Sequence, residues 1–295
     1  MTQALFAKKK LTPDEIATIQ QLVTVCNTFE GLHTRSLSID MFKQRSGNET
    51  LDFLYFEQGH LVGYVGIDNY GTEQKELIGM VHPEYRRKRI GTQLLQAAKE
   101  EGRLSGIKQL VMTCERISTS GQEFAKAIHA HLDYSEHAMV LGTYKERLVF
   151  DERLTFRQAE GPDDLDAVAA IMATDLGDIE HARKYVSSMT KQPNQRFYLM
   201  TFGGTDLGCD EPIGSIRLDD MGQQVGIYGF VVRPEYRGRG YGRLLLQEVI
   251  TTIHEEGSKD ILLEVDVNNT NALELYRSCG FEITATYDYY IVEVM

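Results

Sequence analysis

The sequence is short of cysteine, of long apolar runs and of basic charge, and each shortage closes off a class of protein. Its four cysteines, Cys26, Cys114, Cys209 and Cys279, lie far apart and form no C-x-x-C pair. A disulfide framework and a metal site are both disfavoured by that spacing, and reduced, mostly buried thiols are expected. No apolar stretch approaches the length of a membrane span, and Met1 to Lys10 carries its lysines after a short apolar patch and not before a long one. Neither a signal peptide nor a membrane partner is expected, and the expected location is the cytoplasm. The net charge is -12. Residues 1–150 hold 18 Lys+Arg against 18 Asp+Glu, and the remainder holds 13 against 25, so the whole excess lies in the second half. Nucleic acid is not expected as a partner, because phosphate binding needs a net basic face. An acidic rim would attract a cationic amine, although the same counts also describe a merely soluble surface. No low-complexity tract interrupts the chain, and 42% hydrophobic with 25% charged residues is ordinary globular composition.

What is present is a repeat. Pro234-Glu235-Tyr236-Arg237-Gly238-Arg239-Gly240-Tyr241-Gly242, leading into Arg243-Leu244-Leu245-Leu246-Gln247, aligns without gaps to Pro83-Glu84-Tyr85-Arg86-Arg87-Lys88-Arg89-Ile90-Gly91 and its continuation, at an offset of 151 residues. A repeat of that length is a duplicated domain, and 295 residues accommodate two at roughly 150 each. The boundary is expected near Asp151-Glu152, giving domains 1–150 and 151–295. Both halves read as a strand, helix and hairpin, then a strand entering the repeated segment, a helix, a strand, a helix and a last strand. Particular expectations are a helix opened by Thr12-Pro13-Asp14-Glu15, a hairpin over Phe53–Phe56 and Leu61–Ile67, a helix near Gly121–Leu132 and a final strand over Tyr289–Val294.

The later copy is a strand end that runs through a glycine-rich turn into an amphipathic helix. Backbone N–H groups therefore converge at a helix N-terminus among arginines, which makes an anion cradle. The spacing is neither a P-loop nor a dinucleotide G-x-G-x-x-G; it is Arg-x-x-Gly-x-Gly. That motif resembles the pyrophosphate-binding segment of the GCN5-related N-acetyltransferases. A second segment, Asn269 with Ala272, Tyr276, Gly280 and Phe281 in register, resembles the same family's Asn-x-x-Ala-x-x-x-Tyr-x-x-x-Gly-Phe. The resemblance implies two tandem GNAT folds of mixed α/β class, each a mostly antiparallel sheet flanked by helices. Tandem members of the mycothiol synthase type are similar in architecture.

The family resemblance implies acetyl-CoA as co-substrate, no metal, and acetyl transfer to a primary amine of a small molecule or a peptide N-terminus, by a monomer or homodimer. Arg237, Gly238, Arg239, Gly240, Tyr241 and Gly242 would hold the pyrophosphate. Backbone N–H groups of Phe230, Val231 or Val232 would polarise the thioester carbonyl, and Asn269 would meet the pantetheine arm or fix the strand's splay. Tyr276 is the expected acid for the departing thiolate, since a phenol with a reference pKa near 10 stays protonated at neutral pH. Glu264, in a Leu-Glu-Val like that of the ribosomal-protein alanine N-acetyltransferases, is the candidate base; a salt-bridged strand carboxylate is the other reading. In the first half Arg89 replaces Gly240, which would block phosphate approach or require a different turn. Asp133-Tyr134 is the expected match to Gly280-Phe281, leaving His129 in place of tyrosine and the first half degenerate. A non-catalytic acyl-CoA-binding or regulatory protein is the alternative.

Overall fold

The computed structural model describes residues 3–33, 42, 45–68, 75–144, 151–203, 210–257 and 259–294. Cys209 lies outside them. Thr12 opens α1 (Pro13–Glu30) through a capping box: its hydroxyl accepts from the Glu15 N–H at 3.2 Å, and Glu15 accepts from the Thr12 N–H at 2.8 Å. Gly31, at φ 68°, ends the helix in the left-handed conformation. β1 (Gln3–Lys8) pairs antiparallel with β2 (Asp52–Glu57), which forms the expected hairpin with β3 (His60–Asp68), and β3 pairs antiparallel with β4 (Lys75–Val81). α2 (Ile90–Leu104) then leads to β5 (Gln109–Glu115), parallel to β4, followed by α3 (Thr119–Ala127) and β6 (His131–Leu141).

The order repeats as β7 (Leu154–Gln158), α4 (Gly161–Leu176), α5 (Ile179–Met189), β8 (Gln195–Phe202), β9 (Glu211–Asp220), β10 (Gln224–Val232), α6 (Tyr241–Glu256), β11 (Asp260–Asp266), α7 (Thr270–Cys279) and β12 (Phe281–Glu293). Strands β7 to β10 pair antiparallel in sequence, and β10 runs parallel to β11. This is a mixed, mostly antiparallel sheet in each half, as the sequence implied.

Two elements differ from expectation for local reasons. α3 stops at Ala127 and not near Leu132, because His129 adopts φ 57° and the Ala130 N–H bonds back to the Ala125 carbonyl at 3.0 Å, which leaves β6 free to begin at His131. β12 starts at Phe281, directly after the left-handed Gly280 at φ 103°, well before Tyr289.

The chain forms two compact units, Met1–Glu136 with Ala285–Met295, and His137–Thr284. Their membership thus departs from a simple division of the repeats at β6 and β12. In the first unit, Tyr287–Glu293 of β12 pairs antiparallel with Glu115–Gln109 of β5, and buried Asp288 accepts from Arg116 Nη2 at 2.6 Å and Ser135 Oγ at 2.7 Å.

The second unit's sheet sorts its side chains by parity. Ile216, Leu218, Val225, Ile227, Ile261, Leu263 and Val265 pack against Leu245, Val249, Ile250 and Ile253 of α6. Phe197, Leu199 and Val231 pack on α4 and α5. Each fully buried aliphatic side chain is worth about 1.5–3 kcal/mol relative to exposure, so both faces are firmly held. The residues of opposite parity at Arg217, Tyr228 and Glu264 therefore stand on the α4/α5 face.

Candidate active site

In the second unit Val232 ends β10, a short 3-10 turn follows over Pro234–Tyr236, and Gly240 caps α6 at φ 85°. Gly238 is also left-handed at φ 73°. No side chain caps the helix, so the N–H groups of its first turn have no protein partner of that kind. A Cβ at Gly238 or at Gly240 would meet no atom within 4 Å, which means the turn opens onto empty space. An uncapped helix N-terminus facing open space fits an anionic group.

The side chains around this turn do other work. Arg237 donates to the Val232 carbonyl at 2.7 Å and pairs with Asp175 of α4, so it pins the strand end. Arg239 lies over the Tyr236 ring, 5.5 Å from its centroid. Tyr241 is buried against Phe202 and Tyr236, leaving its backbone N–H, and not its phenol, to the cradle.

Just before the cradle, β10 carries a bulge. Its register against β9 shifts between Tyr228 and Val231, and Gly229 between them takes φ 53°. Two residues, Gly229 and Phe230, thus oppose one on β9, and a bulge of this kind leaves backbone groups outside the ladder. The parallel pairing of β10 with β11 also ends there, at Ile227 with Leu263. Beyond that point Phe230, Val231 and Val232 on one strand face Glu264 and Asp266 on the other with no pairing between them. Gly229, one of two glycines in β10, was the sequence signal for this bulge.

α7 supplies the phenol. Tyr276 is 7% exposed, with its ring 6.1 Å from that of Phe230 and 6.0 Å from that of Phe281. Burial, and secondarily the nearby Cys279 thiol, raise its pKa well above the usual phenol value. Among the described residues its hydroxyl has no hydrogen-bond partner. Asn269 caps α7 by accepting from the Ala272 N–H at 3.2 Å, which occupies its side-chain oxygen. Glu264 is half-buried on β11, one residue past the last paired position. Asp266 accepts from the Asn268 N–H at 2.7 Å and so belongs to the turn. Among the described residues no cluster of three or more His, Cys, Asp or Glu side chains is placed to hold a metal ion.

The first unit keeps the cradle's backbone and loses the rest. Arg89 caps α2 at φ 62° and Arg87 takes φ 65°, so two arginines hold the left-handed conformations that Gly240 and Gly238 hold in the other copy. The turn is therefore the same one, and of the two alternatives for Arg89, blocked phosphate approach or a different turn, the second does not hold. Arg86 likewise donates to the Val81 carbonyl at 3.0 Å. The offset of 151 also continues through the last helix: Ser118 caps α3 as Asn269 caps α7, and His129 turns left-handed as Gly280 does. The equivalent of Tyr276 is consequently Ala125, 1% exposed, and not His129, and the Asp133-Tyr134 alignment is corrected. His129 and His131 are exposed. No register shift interrupts β3 against β4, where Ile78 stands at the position of Gly229. Glu30, unnoticed in the sequence, ties Arg86 at 3.0 Å to Ser118 Oγ and Ser120 Oγ at 3.0 Å each, linking the end of α1 to the start of α3.

The acetyltransferase (GNAT) family model matches residues 17–129 and again 165–281. The mycothiol acetyltransferase of Thermobispora bispora is 25% identical over 240 residues, 77% of this chain and 79% of its own. The probable N-acetyltransferase family 8 member 5 of Mus musculus is 28% identical over 142 residues, 47% of this chain; the match spans 58% of that relative's length. The [ribosomal protein bS18]-alanine N-acetyltransferase of Escherichia coli (strain K12) is 37% identical over 65 residues, 22% of this chain and 44% of its own. Among solved structures, a GCN5-related N-acetyltransferase from Sphaerobacter thermophilus superposes with TM-score 0.79 at 22% identity, covering 99% of this chain and 96% of that one. A tandem GNAT protein from the clavulanic acid biosynthesis pathway gives 0.70 at 18%, covering 100% and 99%.

Proposed function

The chain belongs to the acetyltransferase (GNAT) family, and we propose that its second unit transfers acetyl from acetyl-CoA to a primary amine by direct attack, while the first unit is non-catalytic. The observation that carries this reading is the contrast at the bulge. Gly229 interrupts β10 beside an unpartnered, buried Tyr276, whereas the first unit has an unbroken β4 and Ala125 at the matching positions. The cradle of Gly238 to Gly242 would take the pyrophosphate through backbone N–H groups, since the arginine side chains are engaged elsewhere or stacked. Phe230 has no partner position on β9 and the parallel pairing with β11 has ended at Ile227, so the N–H groups of Phe230, Val231 or Val232 that point toward β11 are the donors that would polarise the thioester carbonyl. Asn269 retains its amide NH₂ for the pantetheine arm.

In this reading the amine nitrogen bonds to the carbonyl carbon as the carbon–sulfur bond breaks. Tyr276 gives its proton to the leaving thiolate and Glu264 takes the proton lost by the amine, directly or through water. Desolvation suits the first task, because it keeps the phenol protonated until a thiolate develops beside it. The acceptor is a small amine or a peptide α-amino group, the two kinds of acceptor chemistry that the names of the mycothiol and bS18-alanine enzymes suggest. The test is thiol release from acetyl-CoA across a panel of amines, with calorimetric stoichiometry for acetyl-CoA. Release with at least one amine is expected. Normal acetyl-CoA binding with no release above the hydrolysis rate for any amine would favour a binding or regulatory protein instead.

A further inference from the structure

We propose that the second unit selects acceptors that carry a carboxylate as well as the amine, with Arg217 binding the carboxylate; the proposal rests on acetyl transfer at that unit. Arg217 is only 6% exposed and lies on β9 directly opposite Tyr228, the last residue before the bulge. Its guanidinium sits over the rings of Tyr228, 4.7 Å from the centroid, and Tyr185 of α5, at 5.7 Å. One nitrogen donates to the Gln195 side-chain oxygen, Nε has no partner, and no carboxylate pairs with the group among the described residues. A buried cation is costly unless it is paired, and each buried donor left without an acceptor needs an explanation. Cation–π contact with two rings holds the charge and orients the fork without neutralising it.

Position connects this group to the reaction. A Cβ placed on Gly229 would lie 3.9 Å from Arg217 Cβ, so the guanidinium is rooted beside the bulge itself. Two residues along the same face of β9, the Ser215 hydroxyl is fully buried and also without a partner, in register with Val231. Arg217, Tyr228 and Glu264 stand on the α4/α5 face of three adjacent strands, β9, β10 and β11. The outer two are about 10 Å apart at their Cα atoms from strand spacing alone, and both side chains are long enough to converge. A negative group for an ammonium and a positive fork for a carboxylate, on either side of the carbonyl-polarising bulge, describe a reader of amino-acid zwitterions. Arginine is the side chain suited to planar, two-point recognition of a carboxylate.

The experiment measures kcat/KM for matched acceptor pools, the common amino acids and their carboxamides, with wild type, Arg217→Gln and Arg217→Lys, and acetyl-CoA affinity by calorimetry throughout. Wild type is expected to favour the acids. Arg217→Gln is expected to lose about 10- to 150-fold on the acids, the range for a bond to a charged group, so that the acid-to-amide ratio collapses. Arg217→Lys should fall between, keeping charge without the fork. The ratio is independent of the folded fraction, so a poorly folding variant still reports. Equal use of both pools by wild type, transfer to neither pool with acetyl-CoA bound normally, or parallel losses on both in Arg217→Gln overturns the proposal and leaves acetyl transfer standing. Absence of acetyl-CoA binding at the second unit removes both readings together.

Discussion

Tyr276→Phe separates chemistry from architecture, because the structure says what the hydroxyl does for folding. The ring is enclosed by α7, Phe230 and Phe281, and phenylalanine fills the same space. Its hydroxyl has no hydrogen-bond partner among the described residues, so its removal breaks no bond of the fold. Removing it is expected to leave the urea midpoint unchanged or raised. Turnover, in contrast, is expected to drop about 10²- to 10⁴-fold, the range for one positioned proton donor. Acetyl-CoA affinity by calorimetry is expected to stay within a few-fold, since the cradle and bulge are untouched. The assay is single-turnover thiol release at saturating acceptor, so that product release is not what is measured. Unchanged turnover under those conditions would refute the assignment of Tyr276 as the acid.

The pH dependence gives a second handle on the same group. Desolvation raises the folded-state pKa of Tyr276 above the unfolded phenol value near 10. Below pH about 10 the phenol is protonated in both states and contributes nothing to the pH dependence of stability. As pH rises past that value the unfolded state loses the proton first, so wild type is expected to lose stability relative to Tyr276→Phe. Urea titrations of both proteins at pH 8 and above 10 check the sign. For the same reason an alkaline fall in kcat below pH 10 would have to come from another group.

Gly240→Arg is expected to fold, at a cost of about 1–2 kcal/mol for a left-handed non-glycine residue, because a side chain there meets no protein atom and Arg89 already holds the equivalent turn. Calorimetry should then show acetyl-CoA binding lost at the second unit, and normal binding would mean the cradle lies elsewhere. Glu264→Gln is expected to cost more kcat/KM at pH 7 than at pH 9, where more acceptor arrives unprotonated; parallel profiles would remove Glu264 as the base. Cys26, Cys114 and Cys279 are buried, and burial pushes the Cys114 thiol up to about 12, so none of the three is expected to react with a disulfide reagent at pH 8 until urea unfolds the chain. Rapid labelling of Cys114 in the native protein would contradict that burial.

The fold, and the backbone geometry of the second unit's candidate site, were largely legible because their signals are local. Thr12 with Glu15, the Tyr-Arg-Gly-Arg-Gly turn and Asn269 ahead of Ala272 each fix a piece of backbone within four residues. What escaped notice depends on pairing. The bulge required knowing that β10 slips one position against β9, and Gly229 was a one-residue hint of it. Arg217 reads in sequence as one polar residue alternating between Ile216 and Leu218, and only its lack of a partner, visible with Tyr228 and Tyr185 in place, marks it. The error over His129 has a physical origin as well. The chain turns left-handed at a non-glycine residue, His129, where the second copy has Gly280, so residue type does not mark the corner, and Asp133-Tyr134 lies inside β6.

The two copies of the cradle carry that argument one step further. Arg87 and Arg89 each adopt a conformation that costs a non-glycine residue about 1–2 kcal/mol, yet the first unit keeps the turn. A strained turn persists only where its surroundings over-determine it, and here they do. Arg86 clamps the Val81 carbonyl, Glu30 binds Arg86 and both serines of the α3 start, and Ile90 is buried in the core at the first position of α2. The equivalent clamp in the second unit is Arg237 on Val232 with Asp175 alone. Backbone shape at the cradle is thus secured by the fold and not by glycine. What distinguishes the second copy is access: Gly238 and Gly240 leave the converging N–H groups uncovered, while Arg87 and Arg89 place side chains at the same corners. Arg89→Gly is for this reason expected to relax strain in the first unit without conferring activity, since an unbulged β4 and Ala125 still leave it neither carbonyl donor nor acid.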